Sequence, residues 1–119
     1  MGNAFARLME EASNKKERTE DMLHALAHFH IQTIRAHKKA LDSASSPMLK
    51  EFHTNKLREH QKELTKLVPA FNKIYPMDFD MARAENLSPE QKAKRDKNNR
   101  QKIGTIIYSM KKQRPENFV

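Results

Sequence analysis

Only two glycines, Gly2 and Gly104, occur in 119 residues. Tight β-hairpins turn on Asn-Gly, Asp-Gly or Gly-Gly pairs, so a sheet built of such hairpins is excluded. The same scarcity removes GxGxxG and the P-loop, where several glycines let backbone approach phosphate. Cysteine is absent, which leaves no disulfide framework, no thiol nucleophile and no cysteine-ligated zinc. No apolar run approaches the ~18 residues of a membrane-spanning helix, and no cleavable signal peptide is visible. A soluble intracellular chain is expected, of a length that suits one domain over residues 1–119.

What remains is helix. Ala4, Phe5, Leu8, Met9 and Ala12 predict a short amphipathic helix over 3–13, with the polar run Asn14 to Arg18 ending it or carrying it onward. From Thr19 to Ser43 the pattern is stronger. Leu23, Leu26, Ala27, Ile34 and Leu41 share one arc, with Met22 at its edge, while Glu20, Asp21, Gln32, Arg35 and Lys39 gather opposite. Ser46-Pro47 then opens a helix as N-cap and first residue. His53, Leu57, His60, Leu64, Leu67, Phe71 and Ile74 form its seam, at the alternating spacings of helix bundles. Pro69 interrupts that seam and predicts a kink before it or a fresh short helix from Pro69 to Tyr75. Ser88-Pro89-Glu90-Gln91 is a capping box that opens the last helix, which Arg114-Pro115 ends. The expected fold is all-α: a small antiparallel bundle of helices over 19–43, 47–75 and 89–113, plus the short N-terminal one. No internal repeat is evident.

The charge is lopsided. Of a formal net charge of +8, residues 89–119 hold +6, with nine basic and three acidic groups. Lys92, Lys94, Arg95, Lys97, Arg100 and Lys102 concentrate it against Asp96 alone, with Asn98, Asn99 and Gln101 between as hydrogen-bonding groups. Such a run contacts phosphates or acidic surfaces. Yet no aromatic residue is interleaved for base stacking, and no zinc-finger, RNP or basic-zipper signature accompanies it. Further along, Ile103, Ile106, Ile107 and Met110 form a core stripe, and Gly104 beside it predicts a close helix approach.

Six histidines raise a metal question. His24 and His28 fall on the polar side of their helix with Asp21, as ligand types fit for a divalent ion. His30 and His37 fall in the apolar arc, where His53 and His60 of the next helix can face them. Packed, hydrogen-bonded histidines are the expectation, with no metal and no cofactor. No nucleophile elbow frames a serine, and the paired carboxylates lie on solvated faces, so no enzyme is expected. Gly2 is the residue an N-myristoyl chain would need, but Ala6 replaces the usual Ser/Thr, and a membrane is not an expected partner.

The function expected is that of a non-enzymatic adaptor or accessory subunit. It docks on an anionic macromolecular partner, a protein or ribonucleoprotein assembly, through the six cations of the last helix. The alternative is a nucleic-acid-binding regulatory protein using that same helix. A weaker alternative is a peripheral membrane protein anchored through Gly2, and the 53–74 seam leaves room for a homo-oligomer.

Overall fold

The computed structural model describes the backbone of residues 2–118 and the surroundings of Ala4, Arg7 and residues 19–116. Four α-helices follow one another: α1 Gly2–Ser43, α2 Pro47–Lys66, α3 Val68–Ile74 and α4 Pro89–Gln113, with 3-10 turns at Ala84–Asn86 and Pro115–Phe118. Among the described residues there is no strand.

Two boundaries differ from expectation. Residues 3–13 are not a separate element, because α1 runs unbroken from Gly2 to Ser43. The polar run Asn14 to Arg18 is rich in Lys, Glu and Arg, which are good helix formers and break nothing. The packing of Phe5, Leu8, Met9 and Ala12 lies outside the described residues. The 47–75 helix is divided at Leu67, whose N–H bonds the Leu64 and Thr65 carbonyls before α3 begins with Pro69 in its first turn. The fresh short helix is therefore the form that the Pro69 interruption takes. Both Ser-Pro starts hold. The Ser46 hydroxyl accepts the Leu49 N–H at 3.2 Å, and Ser88 and Gln91 cap each other reciprocally.

The core joins every helix. Ala27 and Ile34 of α1, Leu64 of α2, Val68 and Phe71 of α3 and Ile103 and Ile107 of α4 close around one another. Phe79 reaches in from the connector. Phe71 and Ile103 are fully enclosed. Met77, exposed and at φ 81°, turns the chain in the left-handed region just ahead of Phe79. The partners of α1 run backwards along the next two helices: His37 meets His53, His30 meets His60, and His24 meets Tyr75. The 53–74 seam, open to a second copy on sequence grounds, is thus covered by α1 of the same chain.

The buried side of α1 is rotated from its apolar arc. Leu26, placed in that arc, is 44% exposed, whereas His24, placed on the polar side, is 4% exposed. α1 packs against both α2 and α4, and His24 meets Phe71 of α3 and Tyr75 beyond it, so the buried sector of α1 is wider than one apolar stripe.

Candidate functional site

Helix α4 carries all six basic residues singled out from sequence, and they divide into two groups. Lys92, Lys94, Lys97 and Lys102 are exposed. Arg95 and Arg100 are half-buried and engaged within the chain. Arg95 pairs with Asp96 at 3.1 Å and donates to the Ala82 carbonyl, which ties the 76–88 connector to α4. Arg100 donates to the Thr65 hydroxyl at 2.9 Å.

Asn99, expected among the outward hydrogen-bonding groups, is instead buried. Its Nδ2 donates to the Asp80 carbonyl at 2.9 Å and its Oδ1 accepts the Asp80 N–H at 3.0 Å. A side-chain amide here completes a backbone that has no strand or helix partner of its own. Gly104 also departs from expectation, since a Cβ built there meets nothing within 4 Å, so no helix approaches it closely.

Packing brings together cations that sequence kept apart. Arg35 and Lys38 of α1 and Lys97 and Arg100 of α4 line one cleft of about 410 Å³, with Gln61 and Gln101 between them. Ile31, Ile34 and Leu64 form its apolar part, and no carboxylate is among its walls. Among the described residues none of the four cations makes a salt bridge. Burial pulls the Arg100 guanidinium below the ordinary arginine value, with Asp96 opposing. Arginine still keeps its proton. A charge that is partly dehydrated and not neutralised favours the arrival of an anion. The cleft was hidden from sequence because half of it lies on α1, where Arg35 reads as part of a solvated face.

The histidines of the α1–α2 seam face each other as their positions predicted. His30 and His60 meet Nδ1 to Nδ1 at 3.0 Å, and His37 and His53 at 2.9 Å. In each pair one ring donates its N–H and the other accepts on its lone pair. His37 and His60 stack between the pairs, 6.1 Å apart at 19°. Phe29 lies edge-on against His60, and Phe52 edge-on against His37.

The arrangement has a local two-fold, and the sequence carries its signature. Phe29-His30-x3-Ile34-Arg35-x-His37 in α1 repeats as Phe52-His53-x3-Leu57-Arg58-x-His60 in α2. At the same offset of 23, Leu26, Lys39 and Leu41 match Leu49, Lys62 and Leu64. This short repeat corrects the reading that none is present. It was legible as an offset, but its meaning comes only from the two copies meeting across the seam.

The Asp21, His24 and His28 set does not converge. His24 turns inward, bonds the Tyr75 hydroxyl through Nε2 at 3.2 Å and packs edge-on against Phe71. Burial holds its imidazole below the usual value, against Asp21 and Glu20. His28 is lowered by burial and by the nearby Lys111 and Arg35, surroundings that repel a cation, while Asp21 is exposed. Among the described residues no group of three or more such side chains is placed to hold a metal ion. None of the described helices is long and apolar enough to cross a membrane. The reading that rests on Gly2 concerns a residue whose surroundings lie outside the described ones. No family, curated protein or solved structure matches this chain.

Proposed function

We propose that this protein is a non-enzymatic adaptor, an accessory subunit that docks on an anionic macromolecular partner within a larger assembly. The observation that carries the reading is the convergence of Arg35, Lys38, Lys97 and Arg100 on one cleft without a carboxylate among its walls. Two of these belong to the basic run of α4, whose Lys92, Lys94 and Lys102 are also exposed, Lys102 on a different side beside Asp78. The scaffold in this reading is one domain, an antiparallel bundle in which α1 and α4 form the two walls. Its buried histidines bond to each other or to Tyr75 rather than to a nucleophile, which supports a role in packing.

An acidic protein face suits the cleft better than unpaired bases do. The walls offer charge and two amides, and no aromatic ring on which a base would stack. The test is capture of partners from the native host by the intact chain and by a Lys38→Glu/Lys97→Glu variant. The variant should keep its melting temperature, because exposed charges contribute little to folding, and should lose its partners. Wild-type capture should weaken steeply as salt rises. Capture that vanishes with nuclease, together with excess absorbance at 260 nm in the purified protein, would transfer the site to nucleic acid. Partners retained at wild-type level by the variant would defeat both readings.

A further inference from the structure

We infer that the outer face of the α1–α2 hairpin, opposite α4, is the docking surface for a second copy of this chain. The inference does not depend on the function proposed for the basic cleft. α1 carries a second stripe beside the one that packs on α2: Met22, Leu26, Phe29, Thr33, Ala36 and Ala40, spaced 4, 3, 4, 3 and 4 residues apart. That is the spacing of a helix that packs along another helix. Among the described residues no helix packs along this stripe, and Met22, Leu26 and Phe29 are 72%, 44% and 56% exposed, Phe29 touching His60 edge-on. Across the local two-fold, Leu49 and Phe52 of α2 repeat Leu26 and Phe29 and are exposed to a similar degree.

Charge argues for a copy as the occupant. Two molecules of net charge +8 repel, so they approach best by a face that carries no excess charge. No Asp, Glu, Lys or Arg occupies the six-residue stripe. On α2 the stripe that begins with Leu49 and Phe52 continues as Lys56, Glu59, Glu63 and Lys66, charged but without net charge, Lys56 pairing with Glu59 at 3.5 Å and Lys66 with Glu63 at 3.0 Å.

Area argues the same way. The two phenylalanines carry roughly 150–250 Å² each and Met22, Leu26 and Leu49 somewhat less, so the five, about half exposed, supply on the order of 500 Å². The small residues and the polar rim bring this near the ~800 Å² per partner of a stable interface. The equivalence of Leu26 and Phe29 with Leu49 and Phe52 lets the apolar ends of α1 and α2 find matching partners in a turned-over copy, which closes four helices into one bundle.

The test is the mass of the full chain in solution, by sedimentation equilibrium and light scattering from micromolar to near-millimolar concentration. The expected result is a dimer whose share rises with concentration and is maintained or increased by salt, opposite to binding in the cleft. Leu26→Glu with Phe52→Glu should weaken association about a hundredfold or more while the helical circular dichroism persists. Ala36→Arg, at an exposed position where the monomer tolerates bulk, should do the same by blocking close approach. Lys38→Glu/Lys97→Glu should leave the mass unchanged. A monomer at every concentration overturns the inference, as does a dimer indifferent to both sets of substitutions. A monomer that binds phosphatidylcholine vesicles through Leu26 and Phe52 would assign the face to lipid and overturn it equally.

Discussion

The His37 and His60 rings stack across the α1–α2 seam at 19°, and each is hydrogen-bonded through Nδ1 to a different histidine, His53 and His30. Four imidazoles therefore share one short stretch of interface, and no pair in it tolerates two protons, because two N–H donors would then face each other at about 3 Å.

Acid should loosen this seam. Burial and the neighbouring histidines hold His30 and His37 below the ordinary value of 6.5; Glu63 opposes this at His30, and Lys56 adds to it at His37. A histidine with a depressed folded pKa binds fewer protons folded than unfolded, so stability increases with pH in this range. Its contribution is complete above about 6.5 and declines as pH falls from there toward the folded values. The melting temperature should drop between about pH 7 and pH 5, above the range where carboxylates protonate. His30→Gln with His60→Gln should flatten that slope. A melt independent of pH across the range would refute the prediction.

Asn99 bonds both backbone groups of Asp80 and is 3% exposed. Asn99→Asp puts a second acceptor against the Asp80 carbonyl, and Asn99→Ala leaves both backbone groups unpaired. Either change should cost about 1–3 kcal/mol in urea unfolding. A loss of partner binding with unchanged stability would instead mean that Asn99 contacts the partner directly.

Gly104→Ala should stabilise the protein by about 1 kcal/mol, since a mid-helix glycine loses more chain entropy on folding than alanine does. The added methyl meets nothing within 4 Å. Denaturant midpoints will show whether it does; a lowered midpoint would mean that a helix approaches Gly104 after all.

Ile103 is fully buried among side chains from the other helices. Ile103→Ala should cost about 2–5 kcal/mol, by lost transfer energy and the cavity left behind. The exposed Tyr108 packs beside Lys112 at 4.6 Å, so Tyr108→Ala should cost well under half as much. Equal losses at the two positions would contradict the division of α4 into a buried and an open side.

The parts of this fold legible in the sequence are those determined by neighbours along the chain. Ser46-Pro47 and Ser88-Pro89 cap because the hydroxyl reaches an amide three residues on. Pro69 divides a helix because it lacks an N–H. The facing of His30 and His37 by His60 and His53 followed from two seams at matching spacing. Leu26 and His24 were misplaced because α1 packs on more than one partner, and one apolar arc does not record which flank each partner takes. The basic run of α4 was visible as charge, but its cleft depends on Arg35 and Lys38, which only the docking of α4 beside α1 brings near. Asn99 looks like its neighbour Asn98; nothing local distinguishes an amide that holds backbone from one that faces water.

Three residues separate α1 from α2, and that brevity sets how much chain each contact has to close. His37 and His53 are 16 residues apart and His30 and His60 are 30 apart, whereas Arg100 reaches back 35 residues to Thr65. Loop closure costs least for the nearest contacts, so of these the His37–His53 contact is the least costly to close and the Arg100–Thr65 contact the most costly. The positive cleft, shared between the first and last helices, needs a longer closure still, from Arg35 and Lys38 to Lys97 and Arg100. A chain lacking α4 therefore has Arg35 and Lys38 but not the cleft that they line with Lys97 and Arg100.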